Sequence, residues 1–177
     1  MGKILNTHIE GYSLRIAEEK DVPLILSFIK ELASYEKMLE EVVATESILK
    51  GSLFDTKAAE VIIGEYEEEP VSFALFFHNF STFLGKPGLY LEDLYVKPEA
   101  RGKGLGKTLL TYLASLAKER GCGRFDWSCL DWNDSSIKFY RQMGAKPLDE
   151  WTGYRLTGES LENAAKEFLI TNKLKNI

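Results

Sequence analysis

Cysteine and histidine are scarce in this chain of 177 residues, which has two of each. Cys122 and Cys129 are too few for a disulfide framework, so we expect a protein of the reducing cytoplasm. His8 and His78 have no neighbours at the spacing of metal ligands, and we therefore expect no metal cofactor.

Long apolar stretches and an excess of positive charge are also missing. No segment approaches the roughly 20 apolar residues of a membrane span, and residues 1–10 lack the apolar centre of a secretory signal. The formal net charge is −5, and an acidic chain gains no attraction to a phosphate backbone. We therefore expect neither a membrane partner nor a nucleic-acid partner.

The apolar periodicity predicts strands and helices in an uneven order. Strands are predicted at Tyr12–Ala17, Ala59–Tyr66, Val71–Phe80, Leu89–Val96, Arg124–Leu130 and Tyr154–Thr157. Helices are predicted at Asp21–Met38, Thr45–Leu53, Leu105–Arg120, Asn133–Met143 and Glu159–Asn172. Antiparallel strands followed by strand–helix alternation predict an α/β fold, with one central mixed, twisted sheet and helices on both faces. We predict one domain over residues 1–158, with residues 159–177 as its helical extension.

A basic, glycine-rich segment stands between the fourth predicted strand and the long helix after it. Its sequence is Arg101-Gly102-Lys103-Gly104-Leu105-Gly106-Lys107. Glycines let a ligand approach the backbone closely, and the helix start adds unpaired N–H groups and the positive end of its dipole. The segment therefore predicts a diphosphate site.

Two other phosphate-binding patterns fit this segment less well. A P-loop needs a glycine five residues before Gly106, where this chain has Arg101. A dinucleotide fingerprint counted from Gly102 and Gly104 needs a third glycine where this chain has Lys107. A basic turn that binds no ligand is the remaining alternative.

The order Arg-Gly-x-Gly-x-Gly resembles the pyrophosphate loop of the GNAT acetyltransferase superfamily. Leu91-Glu92-Asp93-Leu94-Tyr95-Val96 is similar to that family's central strand, and Asn133 and Tyr140 stand where its next helix carries a cofactor contact and a proton donor. The resemblance covers about residues 12–157. It implies a GNAT fold with a splayed central strand pair, acetyl-CoA as the cosubstrate, and acetyl transfer to an amine.

Shorter motifs resemble the diamine and thialysine N-acetyltransferase subfamily. They are Lys30-Glu31-Leu32-Ala33 with Tyr35-Glu36, Tyr90-Leu91-Glu92-Asp93, and Leu130-Asp131-Trp132-Asn133 with Phe139-Tyr140. Thr152 departs from the polyamine members, which place a carboxylate there, and Tyr154 stands where they place Trp. We therefore expect a small primary amine with a second charged end, closer to thialysine or lysine than to a long polyamine. The resemblance also implies a homodimer, for which Glu159–Asn172 is a candidate contact.

The resemblance gives the candidate site residues their roles. Glu92 takes the proton of the amine, directly or through water, and Tyr140 donates one to the departing CoA thiolate. The cofactor set is Leu94, Tyr95, Val96, the segment Arg101 to Lys107, Asn133, Ser136 and Tyr140. The amine-pocket set is Tyr35, Glu36, Glu92, Asp93, Asp126 and Trp127.

Strand alternation limits the amine-pocket set. Asp93 should point away from the face of Glu92 unless a bulge intervenes. Only one of Asp126 and Trp127 can face the pocket, because adjacent strand residues point to opposite faces.

Two other functions remain open at this stage. A protein lysine or N-terminal acetyltransferase would need an open peptide groove, and assays of free amines beside peptides would separate it from a small-molecule enzyme. A module that binds acetyl-CoA without catalysis is the second, and the presence of Glu92 and Tyr140 argues against it.

Overall fold

The computed structural model describes residues 4–174, and it describes side chains through residue 168. Its centre is a six-stranded sheet with the strands in chain order: β1 (Ile4–Asn6), β2 (Tyr12–Ile16), β3 (Glu60–Tyr66), β4 (Glu69–Ser81), β5 (Lys86–Val96) and β6 (Arg124–Trp127). Neighbouring strands are antiparallel from β1 to β5, whereas β6 is parallel to β5. This confirms the predicted α/β class with one mixed sheet.

The helices are α1 (Val22–Tyr35), α2 (Glu46–Lys50), α3 (Leu105–Glu119), α4 (Asp134–Gln142) and α5 (Gly158–Leu174). A π-helical turn, Gly51–Asp55, continues α2. The chain forms two compact units, residues 1–128 and 129–177. The first contains the sheet and α1 to α3, and the second contains α4 and α5. The predicted division at residues 158 and 159 stays a prediction.

Different helices cover the two faces of the sheet. On one face Phe28 of α1 stacks on Phe73 of β4, with ring centroids 5.3 Å apart. On the other face the C-terminal end of α3 brings Arg120 over the ring of Phe76 and into an ion pair with Glu60. Phe73 and Phe76 are three residues apart on one strand, so they point to opposite faces. The predicted arrangement of helices on both faces is confirmed.

A regular cap ends α1 beside the site described below. The Lys37 N–H donates to the Ser34 carbonyl at 3.2 Å, and the Met38 N–H donates to the Ala33 carbonyl at 2.8 Å. Lys37 takes the left-handed conformation that such a cap requires, with φ of 63°. This cap stops the helix at Tyr35, before the predicted end at Met38, and makes Glu36 the first residue after the helix.

The structure differs from the sequence prediction at two further places. β1 was not predicted, because three residues are too few to show a period. The predicted strand Tyr154–Thr157 is wrong: no strand forms there in the described chain, and Tyr154 is 94% exposed. Alternation makes a segment suitable for a sheet, but a strand exists only where a neighbour supplies its hydrogen bonds.

Within residues 4–174, no helix is both long and apolar enough to cross a membrane.

Candidate active site

A β-bulge at Glu92 interrupts β5. Asp93 is in register with Leu75, and Leu91 is in register with Phe76, the next residue of β4, which leaves Glu92 as the extra residue. Cross-strand partners share a face, and Leu75 and Phe76 point to opposite faces. The bulge therefore reverses the alternation and turns Asp93 to the face that α1 covers. This is the exception that the sequence prediction for Asp93 allowed.

Three carboxylates form an acidic cluster at the bulge: Glu36, Glu92 and Asp93. Burial raises the pKa of Asp93 to about 6, and the negative charges of Glu92 and Glu36 add to that effect. Burial also raises the pKa of Glu36. Asp93 is half-buried and Glu92 is exposed. A cluster of this charge suits a cation, and a carboxyl group with a pKa near neutrality suits proton transfer.

The strands β5 and β6 separate just beyond the bulge. Their parallel pairing runs from Gly88 with Arg124 to Leu91 with Trp127, whereas β5 continues to Val96. Among residues 4–174, nothing extends the sheet ladder along the β6 side of residues 92–96. On that edge the Val96 carbonyl accepts a hydrogen bond from the Arg101 Nε, and no strand of the described chain pairs with the other backbone groups. This is the splayed central strand pair that the family resemblance implied.

The glycine-rich segment forms the turn into α3. Gly102 and Gly104 have left-handed φ angles of 80° and 82°. Within the described chain no side chain caps α3 at Gly104, so the first N–H groups of the helix are left for an anion. A Cβ on Gly106 would lie 3.5 Å from Val96 Cγ2, which shows how closely α3 approaches the end of β5. Lys107 is exposed in the first turn of α3 and adds positive charge there.

The other two basic residues of the segment contact aromatic rings. The Arg101 Nε donates to the Val96 carbonyl at 2.9 Å, and its Cζ lies 4.8 Å from the centre of the Tyr35 ring. The Lys103 Nζ lies 4.2 Å from the centre of the Tyr66 ring. Sequence reasoning placed Tyr35 in the amine pocket and missed its stacking with Arg101, because the two are far apart in the chain.

The remaining pocket candidates lie on opposite faces of β6. Asp126 is in register with Tyr90, and Trp127 with Leu91. Tyr90 and Asp93 share a face, so Asp126 lies on the Asp93 face and Trp127 on the other. We therefore leave Trp127 out of the pocket around Asp93.

The Asp126 carboxylate forms an ion pair and a hydrogen bond within the fold. Its Oδ2 lies 2.8 Å from the Arg124 Nε and accepts a hydrogen bond from the Asn79 Nδ2 at 3.2 Å. A carboxylate paired in this way has less capacity for a substrate ammonium, and we leave it out of the proposed pocket as well. Asn79 is 47 positions away, so no local sequence signal identified this contact.

Helix α4 of the second unit, with its cap residue, contains three predicted site residues: Asn133, Ser136 and Tyr140. The Asn133 Oδ1 caps this helix by accepting the Ser136 N–H at 3.2 Å. Tyr140 follows one helical turn after Ser136, which places Asn133, Ser136 and Tyr140 on one face of α4. Tyr140 is half-buried, and its ring centroid lies 5.3 Å from that of Phe139.

Among the described residues, no group of three or more His, Cys, Asp or Glu side chains is placed to hold a metal ion.

Replacing Gly104 with valine is expected to weaken CoA binding at least about tenfold, which corresponds to about 1.4 kcal/mol. A side chain at this left-handed position both strains the turn and blocks close approach of a diphosphate to the backbone. Calorimetry with CoA measures the loss.

Gly121→Val is the matched control for this variant. Gly121 also has a left-handed φ, of 70°, but it lies at the other end of α3. Equal CoA affinity in the two folded variants would contradict the assignment of the diphosphate to this turn.

Known proteins resemble this chain over most of its length. A model of the acetyltransferase (GNAT) family matches residues 27–145. A thialysine N-epsilon-acetyltransferase of Sus scrofa is 35% identical over 164 residues, which cover 86% of this chain and 96% of the relative. An L-ornithine N5-acetyltransferase of Arabidopsis thaliana is 33% identical over 195 residues, which cover 84% of this chain and 86% of the relative. A solved integron cassette protein from the mobile metagenome of V. cholerae has a TM-score of 0.75 and 27% identity, with 88% of this chain and 98% of that chain covered.

Proposed function

This chain belongs to the GNAT acetyltransferase family, and we propose that it moves the acetyl group of acetyl-CoA directly onto a primary amine of a small molecule with a second charged end. The chain is an acetyltransferase, and its family uses acetyl-CoA as the cosubstrate. The acidic cluster at the bulge carries the proposal for this chain, because it places carboxylates for an ammonium beside an open strand edge. A cytoplasmic location belongs to the same proposal.

The first unit holds the proposed cofactor-binding backbone. The turn from Arg101 to Lys107 binds the diphosphate through its N–H groups and the start of α3. The open edge of β5 from Leu94 to Val96 hydrogen-bonds the pantetheine arm, and an N–H of this stretch polarises the thioester carbonyl. Acetyl-CoA supplies an acyl group already activated as a thioester, so positioning is the main task of the protein.

The acidic cluster prepares the amine for attack. An alkyl amine with a pKa near ~10.4 arrives as an ammonium ion at neutral pH and must lose a proton first. Glu36 and the exposed Glu92 attract the ammonium, and its proton passes to the Glu92–Asp93 pair, directly or through water. The raised pKa of Asp93, about 6, lets this pair receive a proton near neutrality and release it to solvent afterwards.

Residues of α4 complete the proposed reaction. Asn133 and Ser136 contact the pantetheine arm, and the Tyr140 hydroxyl donates a proton to the sulfur as the carbon–sulfur bond breaks. The amine nitrogen gains the acetyl group and releases its second proton, which passes through solvent to restore the Tyr140 hydroxyl, and CoA leaves as a neutral thiol.

We expect thialysine or lysine to have a higher kcat/KM than spermidine. Glu36, Glu92 and Asp93 supply negative charge for one ammonium group, whereas a polyamine needs further carboxylates along its length. Thr152 lacks the carboxylate that polyamine enzymes of this kind carry, and an exposed ion pair of that kind contributes only about 0.2–1 kcal/mol. The comparison measures kcat/KM for thialysine, lysine, diaminopropane and spermidine under one condition.

Thr152→Glu sharpens this comparison. It should raise the spermidine-to-lysine ratio of kcat/KM up to about fivefold, as one exposed ion pair allows. Thr157→Glu, also exposed, is the control and should leave the ratio unchanged. A wild-type enzyme that prefers spermidine by more than about tenfold, or about 1.4 kcal/mol, rules out this acceptor class.

We propose that the enzyme is a homodimer that uses α5. Leu161 and Phe168 of this helix are 53% and 71% exposed, and their spacing places them on one helix face. Light scattering should give about 40 kDa, twice the 20.1 kDa of one chain. Leu161→Glu with Phe168→Glu should reduce that mass to one chain, whereas Ser160→Glu should not. A wild-type protein that stays a monomer at micromolar concentration contradicts the dimer.

A further inference from the structure

Arg101 begins the turn into α3, and its side chain contacts the end of β5 and the end of α1. We propose that Arg101 is a positioning residue that connects the diphosphate turn to the end of α1, and so couples occupancy of the turn to the position of Glu36. This inference rests on the proposed function for the identity of the two ligands. The link itself consists of contacts within residues 1–128.

The side chain of Arg101 is held on two elements. Its Nε donates to the carbonyl of Val96, the last residue of β5, at 2.9 Å. Its Cζ lies 4.8 Å from the ring centre of Tyr35, the last residue of α1, and 5.7 Å from that of Tyr95. The guanidinium therefore bridges the end of a strand and the end of a helix. The first contact needs its Nε–H group, and the second needs its planar face.

Arg101 contacts the C-terminal end of α1, where the backbone takes an unfavourable conformation. Lys37 is a non-glycine residue in the left-handed conformation, which is unfavourable for a side chain of its size. Glu36 lies between Tyr35 and Lys37, and its charge helps to raise the pKa of Asp93. Stacking of Tyr35 on Arg101 holds the last turn of α1, and with it Glu36, next to the bulge.

Arg101 belongs to the turn itself, so a ligand at the turn can affect Tyr35 through it. Arg101 is the first residue of the turn, and its backbone is fixed by the Arg101 N–H bond to the Pro98 carbonyl at 3.2 Å. A ligand bound at the turn therefore restrains further the residue whose guanidinium contacts Tyr35. A lysine would keep the positive charge for a diphosphate, but it would lose the planar stack and the Nε bond.

Hydrogen exchange of the Glu36, Lys37 and Met38 amides tests the link without any catalytic assay. In the wild type, saturating CoA should slow this exchange. In Arg101→Lys and in Tyr35→Leu the exchange should be at least about fivefold faster, and CoA should no longer slow it. Amides in the middle of α3 should exchange as in the wild type, which shows that the variants are folded.

Two control variants separate positioning from charge and from packing. Lys107→Gln removes a loop charge and should weaken CoA binding, yet at saturating CoA the exchange at residues 36–38 should match the wild type. Tyr35→Phe keeps the ring and should restore both the slow exchange and its response to CoA. Arg101→Lys with wild-type exchange and a wild-type response to CoA would overturn the proposal.

Kinetics provide the second arm. Tyr35→Leu should raise the KM of the amine by about fivefold or more while the CoA affinity stays within about twofold of the wild type. An unchanged amine KM would also overturn the coupling. If the wild type acetylates none of the amines tested, the acceptor proposal fails, and the exchange experiment still decides the role of Arg101.

Discussion

Replacing Asp93 with asparagine should lower kcat/KM for the amine by about 10²-fold or more and, at the same time, make the folded protein more stable near neutral pH. The loss of activity follows because the substitution removes a proton acceptor from the acidic cluster. The gain in stability follows because Asp93 is half-buried and faces the negative charges of Glu36 and Glu92. An ordinary structural carboxylate would show a loss of stability instead.

The pH dependence of stability has a definite sign. The pKa of Asp93 is about 6 in the folded protein and 3.8 in the unfolded chain. Between these two pH values the folded state therefore binds more protons than the unfolded state. Stability contributed by this group therefore falls as pH rises from about 4 to about 6 and stays low above it. Asparagine cannot ionise, so its advantage should be greatest above about pH 6, on the order of 1–3 kcal/mol.

Thermal unfolding at about pH 4 and about pH 7.5, together with kcat/KM across the same range, measures both effects. The wild-type profile should have an acidic limb near pH 6, and Asp93→Asn should move that limb to lower pH. Glu69→Gln is the control, because Glu69 is an exposed carboxylate at the start of the neighbouring strand. A destabilised Asp93→Asn protein, or one with full kcat/KM, contradicts the role given to the cluster.

Tyr140→Phe should lower kcat by roughly 10²–10⁴-fold and change the amine KM much less. The hydroxyl acts on the departing sulfur, so its removal affects the reaction step rather than the binding of the amine. Phenylalanine keeps the ring and its packing against Phe139, whose centroid is 5.3 Å away. Helix α4 should therefore stay folded in the variant.

Steady-state kcat and KM, with CoA affinity from calorimetry, test this assignment. Tyr112→Phe removes a tyrosine hydroxyl from α3, outside the proposed site, and should leave kcat within about twofold. Full kcat in Tyr140→Phe would reduce Tyr140 to a packing residue of α4.

Sequence by itself determined the features that depend on neighbouring residues. The glycines of the turn into α3, the cap of α4 at Asn133 and the apolar period of α1 are local signals, because each reflects backbone preferences within a few residues. The order of these signals also identified the family, and with it the α/β fold and the acetyl-transfer chemistry. The helix and strand bounds differ from the prediction mainly at element ends, where caps and partners decide the last residue.

Only the tertiary structure decided which side chains meet. The direction of Asp93 depends on the register between β4 and β5, since a single extra residue at Glu92 reverses the alternation. Asp126 is paired with Arg124 and bonded to Asn79, and Arg101 stacks on Tyr35, by contacts that no local pattern encodes. The segment at residues 154–157 has the alternation of a strand but, within the described chain, no neighbour to pair with. Pairing and stacking are properties of two segments at once, so the sequence of either segment alone does not specify them.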